Sequence, residues 1–253
     1  MDIAALLGII LGLGAIIGGN VLEGGNAAHL VQLVAGLIVF GGTFGATLLS
    51  FSARDVVNAF KSISVVFMRQ DHNPLETIQS ILGILVKARK MGLIALEGEL
   101  KNVENPFLKK GLTLMIDGMA PAMIKEVMYQ EIVTYEERIK KSAKVFESAG
   151  GYAPTIGIIG AVLGLIQVMQ DVSDPSKIGS GIAVAFVATV YGVGSANLVF
   201  LPMAKKIMNR MNEEIQLREL IIEGIIGIES GVNPYFLKMR LNAFLDESKR
   251  VGE

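Results

Sequence analysis

Ser148-Ala-Gly-Gly-Tyr-Ala-Pro-Thr-Ile-Gly-Ile-Ile-Gly-Ala-Val-Leu-Gly-Leu-Ile-Gln-Val-Met-Gln170 holds no acidic, basic or imidazole side chain. About 20 apolar residues cross roughly 30 Å of hydrocarbon as a helix, so this stretch reads as a membrane span. Three more stretches, Ile3 to Leu22, Gly24 to Ala53 and Ile178 to Ala204, are equally free of Asp, Glu, Lys and Arg. His29, at the edge of the second, is the one imidazole among them. Hydrophobic residues make up 51% of the 253, and no alternating strand pattern appears. The fold class is therefore all-α: a polytopic membrane protein with four transmembrane helices and a helical cytoplasmic domain.

Sidedness follows from the basic residues, which concentrate in cytoplasmic loops. Of the 23 Lys and Arg, 14 lie between Arg54 and Lys144 and eight between Lys205 and Arg250. Lys177 alone falls elsewhere. Residues 54–147 and 205–253 are accordingly cytoplasmic, and the short loops around Glu23 and Asp174 face out. Asp2 stands where a signal peptide would carry basic residues, so the first helix is expected to remain. Taken alone, that helix reads as starting outside. An even number of spans with both polar segments on one side instead puts the N-terminus at the cytoplasmic edge.

This divides the chain into a transmembrane hairpin 1–53, a cytoplasmic helical domain 54–147, a second hairpin 148–204 and cytoplasmic C-terminal helices 205–253. Ile78, Ile81, Leu82, Leu85 and Val86 recur at helical spacing, with Asn73-Pro74 as their start. Further helices are expected over about 106–118, onward from Pro121, and from Pro202 to about Ile228. Asn233-Pro234 should open a short last one. Gly8/Gly12, Gly14/Gly18, Gly41/Gly45 and Gly160/Gly164 repeat at four residues, which permits close helix approach within or between subunits.

Machines driven by ions need a group inside the membrane that changes charge, and such residues mark pathways. The four spans hold no Asp, Glu, Lys or Arg, so a protein that moves protons would have to borrow its carboxylate from a partner, whereas a channel could conduct through carbonyls and hydroxyls. The second hairpin does hold Thr155, Gln167, Thr189, Tyr191, Ser195 and Asn197. Pro154 removes an amide donor and frees a carbonyl. A lone Thr or Pro is usually a packing feature, but Pro154, Thr155 and Thr189 together point to a pathway lining. Ala161, seven residues after Pro154, shares its face.

In the cytoplasmic insertion, residues 87–99 concentrate charge, and Lys90 and Glu97 share a face if one helix runs through both. By spacing alone this is a solvated surface with pairs worth about 0–1 kcal/mol. With no Cys, two His and no HExxH, Walker or GxSxG pattern, no catalytic or metal site is expected. The chain reads as a non-enzyme without a cofactor.

Residues 149–165, 173–179, 181–192 and 196–202 resemble the third and fourth spans of flagellar stator proteins of the MotA/PomA family. Ala88-Arg-Lys-Met-Gly-Leu-Ile-Ala-Leu-Glu97 and Glu229-Ser-Gly-Val-Asn-Pro234 match family signatures too. The resemblance implies a bacterial inner-membrane ring, a homopentamer, around a MotB/PomB-type subunit that supplies the transmembrane Asp. It also implies that cytoplasmic charges push the rotor protein FliG. Carried over, Arg89, Lys90, Glu97 and Glu99 would contact the rotor. Pro154 and Pro202 would serve conformational coupling, and Thr189 would face the partner's Asp. Sodium-driven relatives tend to have Thr at Ala161 and a Thr pair at Ala188-Thr189, so the proton is favoured as the transported ion, with sodium the alternative. An ExbB/TolQ-like energiser, or a self-contained channel or scaffold, is the rival reading. Four spans with a large insertion favour the stator.

Overall fold

The computed structural model describes residues 2–67, 73–170, 175–245 and 247. The loop around Asp174, with Ser173 of the family-like motif, and His72 lie outside the described residues. No strand occurs among the described residues. Four helical regions are long and apolar enough to span a bilayer: Ile3–Leu22, Ala27–Ser50, and parts of Pro121–Gln170 and Ile178–Glu229. Residues 1–69 with 139–210 form one compact unit, and 70–138 with 211–253 form the other.

The first unit begins with α1, Ile3–Leu22, which is capped by the Asp2 carboxylate accepting from the Ala5 amide at 3.2 Å. No residue of α1 is buried inside the chain. The chain then turns at Gly24, whose φ of 86° needs a residue without Cβ. The second span is not one helix. It starts as a 3₁₀ turn, Ala27–Leu30, and resumes as α2, Leu33–Gly36. It widens into a π turn over Leu37–Gly41 before α3, Gly42–Ser50.

Extended backbone at Phe51 ends the span and launches α4, Ala53–Phe67. The turn is fixed reciprocally: the Asp55 amide donates to Ser52 Oγ at 3.1 Å, and that hydroxyl donates to the Asp55 carboxylate at 2.6 Å. α4 is amphipathic, with Val56, Ala59 and Ser62 buried while Val57, Phe60 and Lys61 stay exposed.

In the second unit, α5 (Pro74–Met91), α6 (Pro106–Ile116) and α10 (Pro234–Asn242) begin alike. Asn73, Asn105 and Asn233 each accept from the amide two residues on, with Pro at the first helical position. They pack with portions of α7 (Pro121–Gln170) and α9 (Leu201–Glu229) around Ile81, Leu85, Leu112, Met128, Ile221 and Ile225, all nearly or fully buried. Each such side chain contributes about 1.5–3 kcal/mol of transfer free energy. Gly111 lets Ile225 and Met128 close in, since a Cβ there would lie 2.1 Å from the Ile225 methyl. Arg218 is held between the rings of Phe107 and Tyr135, at 4.9 and 4.2 Å, and bonds Glu214 at 2.8 Å.

The expected element starts at Pro74, Pro121 and Pro234 are present, and so is the helix beyond Pro202. Between α8, Pro175–Ser195, and α9 the chain makes a second π turn, Ala196–Phe200. It ends two residues before Pro202, whose ring clashes with the carbonyl four residues back in a regular α-helix. The widened turn relieves that clash without ending the helix.

Candidate functional site

The second hairpin owes its geometry to small residues. A Cβ on Gly192 would lie 2.5 Å from the Ala153 carbonyl, one on Gly157 2.9 Å from that of Ala188, and one on Gly164 2.8 Å from that of Gly181. α7 and α8 therefore meet backbone to backbone along Ala153, Gly157, Gly160 and Gly164 on one side and Gly181, Ala185, Ala188 and Gly192 on the other. Of the four glycine pairs noted in the sequence, Gly160/Gly164 is consumed by this seam, and Gly12 meets Leu198. Gly8, Gly14, Gly18, Gly41 and Gly45 have open space within the chain.

The second span covers one side of the hairpin. Ala35 and Val39 pack on Val187 and Ala188, Ile38 reaches Gly160, and Ile156 reaches Gly42. With about 100° of rotation per residue, Pro154 and Ala161 on α7 and Thr189 on α8 fall on the opposite side of the seam. The structure thus brings Pro154, Ala161 and Thr189 to one groove. Phe186 and Ile158, 71% and 58% exposed, flank it. Thr155 is not in this groove. It sits about 100° from Pro154 around α7, is exposed, and donates to the Tyr152 carbonyl at 2.8 Å.

Thr189 is half-buried and donates to the Ala185 carbonyl at 3.2 Å. Its proton is committed to the backbone, which leaves the oxygen as an acceptor. Ala161 adds only a methyl group. Pro154 lies within continuous α7, where it leaves the Gly150 carbonyl without its usual amide. Among the described residues no group of three His, Asp or Glu gathers as a metal site. The groove can offer an acceptor oxygen and a freed carbonyl, but no group that ionises.

The charges at 87–99 are arranged differently from the sequence expectation. α5 stops at Met91, Gly92 takes φ of 83°, and residues Ile94–Asn102 form a 3₁₀ segment. Lys90 and Glu97 are therefore not on one helix face. Arg89, Lys90 and Glu97 are exposed on either side of the corner. Glu99 instead pairs with Lys87 at 2.7 Å, and that ammonium holds its carboxyl below the usual range.

Two features escaped the sequence reading. The Tyr191 hydroxyl donates to the Leu30 carbonyl at 2.6 Å and accepts from the Gln32 amide at 3.2 Å. It satisfies the backbone where the second span breaks, and its ring stacks on Phe40 with centroids 5.7 Å apart. Irregular backbone at membrane depth persists only when protein satisfies it. The second feature is Asp2, whose carboxylate bridges Lys206 at 2.6 Å and Arg210 at 2.7 Å. Its amide donates to the Phe67 carbonyl at 2.8 Å. The two cations hold the Asp2 carboxyl well below the ordinary range. The start of α1 thus lies at the same end of this unit as Phe67 and residues 206–210.

Residues 99–220 match the family described as MotA/TolQ/ExbB proton channel family, and residues 6–92 match that described as Motility protein A N-terminal. Motility protein A of Helicobacter pylori is 35% identical over 241 residues, covering 95% of this chain and 94% of its own. Chemotaxis protein PomA of Vibrio alginolyticus is 35% identical over 253 residues, covering 100% and 99%. The solved C. jejuni MotAB structure superposes with a TM-score of 0.94 at 33% identity, covering 100% of both chains.

Proposed function

Because the chain belongs to the MotA/PomA family of flagellar motor stator proteins, within the MotA/TolQ/ExbB proton channel family, we propose that it is a torque-generating stator subunit working with a MotB/PomB-type partner. The observation that carries this reading is the groove of Pro154, Ala161 and Thr189. It offers an acceptor oxygen within four spans that contain no Asp, Glu, Lys or Arg. A proton pathway of that composition takes its carboxylate from a second protein.

In this reading five copies surround the partner, and ions pass between the partner's Asp and Thr189. Moving one charge through 100 mV releases about 2.3 kcal/mol, and several ions per step supply useful work. The groove changes shape at Pro154, while the widened turn at Pro202 passes the motion towards the cytoplasmic helices. Arg89, Lys90 and Glu97 then engage FliG. The proton is the coupling ion, because the groove presents only the Ala161 methyl where a hydroxyl would serve a dehydrated sodium ion, and Ala188 is buried in the seam. Residues 54–147 and 205–253 lie in the cytoplasm.

The test is the motility of a strain lacking this gene, with its filaments counted by electron microscopy. Paralysed cells with normal filaments are expected. Cells that swim normally, in a strain without a second stator, would overturn the assignment.

A further inference from the structure

The first unit contains a cavity of about 310 Å³, walled by Phe40, Phe44 and Thr47 of the second span, Phe60 of α4, Phe146 of α7 and Phe200 of the π turn. Its lining is almost wholly apolar, and Phe60 and Phe146 close one wall edge to face, with centroids 6.3 Å apart. The cavity lies where the uncharged stretch ending at Ala53 leaves the bilayer and the one starting at Ser148 enters it. It runs from Phe40 and Phe44, about two to three helical turns inside the second span, out to Phe60 of α4.

α4 carries the complementary charge. Val56 and Phe60 face the cavity, and Val57 follows around the helix, 52% exposed. Arg54 and Lys61, seven residues apart and both exposed, share the next face. Asp55 points elsewhere, its carboxylate taken by Ser52. An apolar edge beside a basic one is the pattern of helices that rest on anionic membrane surfaces.

We propose that this cavity holds an acyl chain of an anionic phospholipid from the cytoplasmic leaflet, with the phosphate seated on Arg54 and Lys61. This goes beyond the stator reading and depends only on residues 54–67 lying at the membrane surface. The lipid would fill a void between α3, α4 and α7, joining the second span to the amphipathic helix.

The experiment is native mass spectrometry of the full-length protein, purified with its partner and titrated with equal amounts of phosphatidylglycerol and phosphatidylethanolamine. Two basic residues at an anionic headgroup predict at least a roughly tenfold preference for phosphatidylglycerol. R54Q/K61Q, a surface change, should assemble normally and bring that ratio near one. A149L, which narrows the cavity wall, should reduce retention of both lipids. Equal retention by the wild type, or an unchanged preference in R54Q/K61Q, would overturn the headgroup site. Undiminished binding by an assembled A149L would overturn the cavity as the seat of the chain.

Discussion

Replacing Tyr191 by Phe keeps the ring that stacks on Phe40 and removes only the hydroxyl. That hydroxyl makes two bonds at the break in the second span, to the Leu30 carbonyl at 2.6 Å and from the Gln32 amide at 3.2 Å. A buried polar group left unsatisfied costs about 1–3 kcal/mol, while hydrogen bonds inside membrane bundles measure nearer about 0.6–1.7 kcal/mol. Two lost bonds set the expected destabilisation at about 1–4 kcal/mol. The assay is detergent-induced unfolding of the purified full-length protein, with amide hydrogen exchange followed at residues 30–32. A loss of 1.4 kcal/mol in local opening corresponds to about tenfold faster exchange at Gln32. Phe40→Leu serves as the control, since it removes the stacked ring and leaves the hydroxyl. An unfolding free energy within about 0.3 kcal/mol of wild type, with unchanged exchange, would show that the break does not depend on Tyr191.

Gly192→Ala should destabilise the second hairpin by about 1–3 kcal/mol or more, since its Cβ would lie 2.5 Å from the Ala153 carbonyl. Gly14→Ala, with open space around it, should stay within about 0.5 kcal/mol in the same unfolding assay. Thr189→Val should lower torque in tethered cells while leaving ring assembly intact, and Ala161→Thr should make swimming speed depend on sodium concentration. Arg89→Glu and Glu97→Lys should each slow swimming and be partly restored by reversing a charge on the rotor. Failure of every such rescue would leave them ordinary surface charges. The depressed pKa of Asp2 fixes a sign: its clasp contributes fully above about pH 3.9, the ordinary Asp value, and is lost as pH falls through the lower folded value. The difference in stability between wild type and Asp2→Asn should therefore be flat from pH 8 to about 5 and persist below 4.

The parts of the fold that were legible in sequence are those set by local chemistry. Uncharged runs identify spans without reference to any neighbour, and Asn-Pro at 73–74 and 233–234 carries its own cap. The break at Leu30–Gln32 was not legible, because no Pro or Gly marks it and its partner lies about 160 residues away. The π turns leave only an indirect trace, Pro202 in an otherwise helical run. The end of α5 could have been read: Arg89-Lys90 followed by Gly92 is a helix-stop pattern, and it separates Lys90 from Glu97. For the groove, the residue types were visible, but separating Thr155 from Pro154 and Thr189 required knowing which side the second span covers. The Asp2 clasp depends on residues over 200 positions apart and had no sequence signal beyond an acid at a helix start.

That clasp also fixes how deep the first helix sits. α1 has 20 residues, a length of about 30 Å, and one end is tied through Asp2 to Lys206 and Arg210. A helix so tethered cannot slide along its axis to follow the membrane. In a thicker or thinner bilayer it must tilt or deform the lipid around it, at a cost of a fraction of a kcal/mol per Å. With no side chain of α1 buried within the chain, that cost falls on its contacts with lipid and with neighbouring proteins. Bilayer thickness therefore becomes a variable that reaches the base of the fourth span through a single carboxylate.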